Sequence, residues 1–140
     1  MLEEELVTAR KKAESIQRVP VAIAAITTNK ITAAVVRDVA DLPMLVPSLI
    51  VTYNANPFTS SFKIRRIGNE GNIPDFEPET GLFIDGAYRS RSGLGLGDLV
   101  DIEQVEVLRD PQSTLYGKNL NAGVINNSPF SALNGRCRCL

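Results

Sequence analysis

The sequence predicts an α+β fold, and three observations lead there. From Ser48 onward the apolar residues fall into short runs of period two, the spacing of half-buried strands. Between Leu82 and Arg89 two such runs flank an Asp85-Gly86 pair, a strong short-range signal for a hairpin with a two-residue turn. Short helical stretches alternate with these strands without the regular spacing of βαβ units, which argues against a doubly wound sheet.

The elements follow in order along the chain. Leu2, Leu6, Ala9, Ala13 and Ile16 recur at helical spacing, with acids leading and bases following, so periodicity alone predicts an amphipathic helix there. Val19–Ile26 is a β-rich apolar run bounded by Pro20 and Thr27-Thr28-Asn29, and it reads as a buried strand. Asn29 is a candidate cap for a helix beginning near Lys30 and running through Ile31, Ala34 and Val35. A second short helix is expected after Asp38, reaching Leu45 and stopped by Pro47. Leu49–Tyr53 and Phe62–Arg65 are predicted strands, and the stretch from Asn69 to Thr80, with two prolines and four acids, is a predicted loop. The Leu82–Arg89 hairpin comes next. A flexible Ser90–Gly97 segment, one helical turn over Asp98–Ile102 and a strand over Gln104–Arg109 complete this reading.

Composition bounds the function. A chain of 140 residues suits one domain with one ordinary core. Its 44% apolar and 22% charged residues are those of a folded globular protein. A net charge of −1 argues against a nucleic-acid partner, which requires a clustered positive surface. The sequence contains no histidine, the commonest general base and a frequent metal ligand. Cys137 and Cys139, one residue apart near the C-terminus, cannot complete a zinc site. Met1 is followed by Leu2 and three glutamates rather than the basic start and apolar run of a secretory signal. The longest apolar stretch, Val19–Ile26, falls well short of the roughly 20 residues of a membrane helix.

Three further motifs suggest other chemistries and fall short of them. Gly93-Leu-Gly-Leu-Gly97 follows a polar stretch rather than a strand and lacks a long following helix, so a dinucleotide loop is disfavoured. Gly117-Lys118 resembles the end of a phosphate loop, but Gln112 stands where its first glycine belongs and Asn119 where Ser or Thr is needed. Asp75, Glu77 and Glu79 are candidate calcium ligands, yet Pro74 and Pro78 restrict their convergence, and a solvated loop is the favoured reading. No enzymatic activity, metal or cofactor is expected.

Three segments, in order, resemble the plug domain of TonB-dependent outer-membrane receptors. Glu5–Lys11 followed by Val19–Ile23 looks like the family's TonB box and first strand. Phe62–Arg65 with Ile67-Gly68 resembles its Ile-Arg-Gly strand, and Gly81–Gly86 its Val-Asp-Gly hairpin. Asp101–Arg109, Pro111–Asn119 and Ala122–Asn126 resemble its most recognisable stretch. The resemblance implies a small mixed β-sheet with short helices and long loops. It divides the chain into a TonB-box-like segment (1–18), a plug body (19–126) and an atypical tail (127–140) expected to be disordered. That tail replaces the expected continuation into a first barrel strand. Receptor barrels of roughly 22 strands, each roughly 10 residues long, need over about 200 residues, more than this chain has.

The resemblance also implies roles. Glu5, Leu6, Val7, Thr8 and Ala9 would be captured by the periplasmic domain of TonB through strand addition, so that segment is expected to be extended, against its helical spacing. Arg65 and Arg109 would lock the plug to carboxylates of a β-barrel, and an arginine ending each of two apolar strands fits a fork awaiting a carboxylate. Asn54, Asn56, Asn69, Tyr88 and Arg89 are the candidate contacts for a small-molecule nutrient such as a ferric siderophore. The implied setting is the outer membrane of a Gram-negative bacterium, as part of an intact receptor. The alternative is a stand-alone soluble module of plug-like fold. Two departures stand out: Arg66 and Asp110 occupy family glycine positions. Period-two counting puts Arg66 on the face of Phe62 and Ile64, where it would have to snorkel or pair.

Overall fold

The computed structural model describes residues 6–7, 14–15, 21–56, 60–68, 77–90 and 102–129. In chain order its elements are β1 (Leu6–Val7), β2 (Glu14–Ser15), β3 (Ile23–Thr27), α1 (Thr28–Ala33), a 3-10 helix (Val39–Met44), β4 (Leu49–Thr52) and β5 (Ser61–Ile64). There follow β6 (Thr80–Ile84), β7 (Ala87–Arg89), β8 (Ile102–Leu108), α2 (Ser113–Tyr116) and β9 (Gly123–Pro129). Five strands form the main sheet in the order β3-β8-β9-β6-β7; β1–β2 and β4–β5 are separate two-stranded sheets. Only the β6–β9 pair in the main sheet is parallel, so the sheet is mixed.

Both faces of this sheet are covered, which is why its central strands carry apolar residues on both sides. On one face Ile26, Leu82, Val105, Val107 and Ile125 pack with Ile31 of α1, Leu42 of the 3-10 helix, Leu49 of β4 and Phe62 and Ile64 of β5. On the other face Ile23, Ala25, Phe83, Leu108 and Val124 pack with Leu120 and with Val7 of β1. Full burial of a side chain such as Leu82 or Leu108 contributes about 1.5–3 kcal/mol.

Several sequence expectations are corrected. The predicted strand at 19–26 is the shorter β3, with 19–20 outside the described residues. Asn29 does not cap α1. The helix starts two residues earlier, behind Thr27, and Thr28 Oγ1 donates instead to the carbonyls of Ile102 and Glu103, pinning the helix to β8. The helix after Asp38 is of the tighter 3-10 type, with Pro43 inside it. Proline lacks the N–H that a regular helix needs at an interior position. Ile102 opens β8 rather than closing a helical turn; the remainder of that predicted turn lies outside the described residues. Strand β9, which period two did not reveal, runs three residues past Asn126.

Non-glycine residues with positive φ mark the turns. Val35 (φ 56°) ends α1 in a Schellman arrangement: its N–H reaches Thr32 O at 3.2 Å and the Val36 N–H reaches Ile31 O at 3.1 Å. Val36 and Ile31 are both buried in the same cluster, the apolar contact that accompanies this motif. Asp85 (φ 53°) and Gly86 (φ 72°) form the predicted hairpin turn.

Arg65 (φ 53°) and Arg66 (φ 66°) form another such turn, closed by reciprocal backbone bonds between Ile64 and Ile67 of 3.0 and 2.9 Å. Arg66 therefore does not share the face of Phe62 and Ile64. The strand ends at Ile64, and Arg66 is exposed. Left-handed backbone costs an ordinary L-residue roughly 1–2 kcal/mol, and glycine avoids that strain at some entropic cost. Arg66→Gly is accordingly expected to stabilise the chain by about 1 kcal/mol. A urea midpoint at or below that of the parent chain would contradict the turn assignment.

Candidate functional site

The two arginines singled out by sequence come to one end of the main sheet, where β3 begins and β8 ends. Strand β5 lies against this end: Thr80 Oγ1 donates to Phe62 O at 3.0 Å, and β5 leads directly into the Arg65 turn. The Arg65 N–H is held by Ser48 O at 2.8 Å, and its Nη1 reaches Asp110 Oδ1 at 3.4 Å. Asp110 Oδ2 accepts the Ala22 N–H at 3.0 Å, while the Arg109 N–H donates to Ala22 O at 3.0 Å. The start of β3, the end of β8 and the β5 turn thus meet on one carboxylate. Asp110 is not among the described residues with positive φ, so aspartate at this family glycine position carries no left-handed strain. The Arg65–Asp110 pair is half-exposed, at 51% and 38% side-chain exposure, and is worth at most about 1 kcal/mol in water. Its importance is positional.

Arg109 differs from Arg65. Its Nε is buried without a hydrogen-bond partner among the described residues. A guanidinium N–H removed from water and left unpaired is costly, so the arrangement favours an added acceptor.

The N-terminal candidates are only partly described. Leu6 and Val7 form strand β1, paired antiparallel with Glu14–Ser15, and Val7 is 1% exposed against the sheet. These two residues are extended, not helical. Glu5, Thr8 and Ala9 lie outside the described residues.

The ligand candidates occupy two separate sheets. Tyr88 and Arg89 are exposed on the edge strand β7, with the Tyr88 ring 5.4 Å from that of Phe83. Partial burial, and then the Glu77 carboxylate, raise the Tyr88 phenol above its ordinary pKa. Asn54 and Asn56 follow β4, and the Asn54 N–H reaches Ser60 Oγ at 3.4 Å. Asn69 lies outside the described residues. Of the candidate calcium ligands, Glu77 is engaged by Lys118 at 3.4 Å and by the Asn119 amide, Glu79 O accepts the Ala122 N–H at 3.1 Å, and Asp75 is not described.

The sheet also buries a polar group that the sequence does not single out. Glu106 is 0% exposed; its Oε1 accepts from Gln104 Nε2 at 3.0 Å and its Oε2 from Asn126 Nδ2 at 3.1 Å. Burial pushes the Tyr116 phenol up to about 12, with the nearby Glu106 carboxyl a second cause. Period two places Glu106 on the same face as Leu108, but Gln104 shares that face, so the pattern alone does not mark Glu106 as buried.

Comparison with known proteins identifies this arrangement. The family model of the TonB-dependent receptor plug domain matches residues 15–124, and the chain belongs to that family. It is 32% identical to the pesticin receptor of Yersinia pestis over 85 residues, covering 61% of this chain and 12% of that protein. It is 32% identical to the iron-regulated outer membrane virulence protein of Vibrio cholerae serotype O1 over 133 residues, covering 86% of this chain and 19% of that protein. The crystal structure of the ferric yersiniabactin uptake receptor from Yersinia pestis matches with a TM-score of 0.70 at 29% identity, over 79% of this chain and 17% of the receptor. The ferripyoverdine receptor of the outer membrane of Pseudomonas aeruginosa shares the fold with a TM-score of 0.71 at 15% identity, over 91% and 16% of the two chains. The chain spans less than a fifth of the length of these relatives. It is a plug domain with a mixed sheet and short helices. Among the described residues no helix is long and apolar enough to cross a membrane.

Proposed function

We propose that this plug gates an outer-membrane transporter for a scarce nutrient such as a ferric siderophore, in a Gram-negative bacterium, and that it performs no catalysis itself. The nutrient class comes from the relatives, one of which takes up ferric yersiniabactin and another of which is iron-regulated. In this reading residues 1–18 couple the plug to TonB, and the body that fills the barrel begins at residue 19 and runs to the end of β9 at Pro129, three residues past the boundary the sequence suggests and into the expected tail. Arg65 and Arg109 hold the body to barrel carboxylates. The observation that carries this last assignment is the buried, unpaired Arg109 Nε at the same sheet end as the Arg65 turn. Nutrient contacts fall to Asn54, Asn56, Asn69, Tyr88 and Arg89, completed by walls that a plug alone does not supply.

TonB capture by strand addition at residues 5–9 supplies backbone hydrogen bonds to an extended segment. Here Leu6–Val7 already pairs with Glu14–Ser15 along one edge and Val7 is buried, so capture competes with the existing pairing and with the packing of Val7. Binding of the isolated chain to the periplasmic domain of TonB is therefore expected to be weak, with dissociation constants of order 10–100 µM. Deleting residues 1–9 is expected to abolish it, and ferric siderophores are expected not to bind measurably. Titration calorimetry with both partners tests this. Tight siderophore binding with no response to TonB would favour a stand-alone binding module.

A further inference from the structure

On the face of the main sheet that buries Val7, the side chains form three rows with different chemistry. Ile23, Leu108 and Val124 make an apolar row; Ala25, Glu106, Asn126, Phe83 and Tyr88 make a mixed one; Thr27, Gln104 and Ser128 make a polar one. Where the mixed and polar rows reach β6 and β9 there is a cavity of about 270 Å³, lined by Phe83, Asp85, Tyr116, Asn126, Ser128 and Pro129 among others. Its size falls just below the roughly 300–1,000 Å³ typical of small-molecule sites, and suits one large side chain rather than a whole chelate.

The lining is selective in sign. Phe83 and Tyr116 stand edge to face with centroids 4.9 Å apart, presenting aromatic surface. Asp85 contributes a carboxylate from its left-handed turn position. Asn126 is 8% exposed and its Nδ2 is committed to Glu106, so its Oδ1 is the atom it can offer an incoming donor. Ser128 adds a hydroxyl, and a second carboxyl, that of Glu106, lies directly behind Asn126. Among the described residues the lining includes no lysine or arginine. Aromatic faces, a carboxylate and acceptor oxygens around a space of one side chain suit a planar, donor-only cation.

We infer that this cavity is a socket for a single guanidinium group, the arginine side chain of a polypeptide laid over this face of the plug. An ammonium would satisfy the charge, but a guanidinium also stacks on the rings and splits its donors between Asp85 and Asn126. The inference stands apart from the TonB and siderophore reading and does not depend on it.

The test is an NMR titration of the full 140-residue chain with N-acetyl-arginine-N-methylamide at constant ionic strength. The citrulline derivative, isosteric but uncharged, serves as the control. Expected are millimolar binding and shifts confined to the amides around Phe83–Gly86, Tyr116 and Asn126–Pro129, with the citrulline derivative at least about fivefold weaker. Asp85→Asn is expected to weaken arginine binding about fivefold while leaving the fold intact, because asparagine is favoured at this turn position. Equal binding of the two derivatives, shifts scattered over the surface or absent, or an unchanged affinity in Asp85→Asn would each overturn the inference.

Discussion

Replacing Gly123 with alanine is expected to destabilise the folded state severely. A Cβ at this position would lie 2.1 Å from Leu108 O and 2.9 Å from Ile64 Cδ1, on a backbone with φ of +142°. Ile64 could turn its terminal methyl aside, but the Leu108 carbonyl cannot move so easily. It belongs to β8, which is paired on both sides, and Leu108 itself is fully buried. The substitution forces β9 away from β8 at their Leu108–Val124 end and strains a conformation that L-residues rarely adopt. A loss of at least about 4 kcal/mol is expected, a large share of the 5–15 kcal/mol that holds a typical domain. Urea unfolding followed by circular dichroism measures it. A loss under about 1 kcal/mol would mean that β8 and β9 do not approach as described.

Asn126→Leu is expected to cost about 2–3 kcal/mol, for a different reason. Glu106 has no water of its own to fall back on at 0% exposure, and the substitution removes the Nδ2 donor 3.1 Å from its Oε2. A buried carboxyl oxygen that loses a donor incurs part of its desolvation penalty, even though Gln104 still donates to the other oxygen. Glu106→Leu alone strands the Asn126 amide in the opposite sense. Replacing both residues by leucine removes the mismatch, so the double variant is expected to be more stable than the sum of the single losses by at least about 1 kcal/mol. A double-mutant cycle from denaturation midpoints measures this coupling. Strict additivity would show that Glu106 and Asn126 do not depend on one another.

The polar pair also shows how far local pattern reaches. Period two correctly placed a strand over Gln104–Arg109, but hydropathy does not say that both of its faces are covered, which is what makes Glu106 buried. The same ambiguity hid β9. Its Val-Ile-Asn-Asn-Ser-Pro run does not alternate, because Val124 and Ile125 point into two different apolar clusters while Asn126 and Asn127 are both buried. A strand buried on both sides leaves no periodic trace. At the N-terminus the helical spacing competes with the extended segment that the resemblance implies, and at Leu6–Val7 the strand wins, because tertiary burial of Val7 overrides so weak a local preference.

The sequence by itself determined the α+β class, the Asp85-Gly86 hairpin and the choice of Arg65 and Arg109 as residues worth following. These rest on dihedral preferences and on spacing within a few residues. Family membership was legible too, from motifs in order along the chain. Only the tertiary structure decided that Asp110 ties Arg65 to the start of β3 across 45 residues of chain, that Arg66 sits in a turn, and that a cavity with acidic and aromatic walls opens beside Asn126. Each of these depends on strands distant in sequence being hydrogen-bonded in one register. A shift of one residue would turn every side chain on a strand to the opposite face.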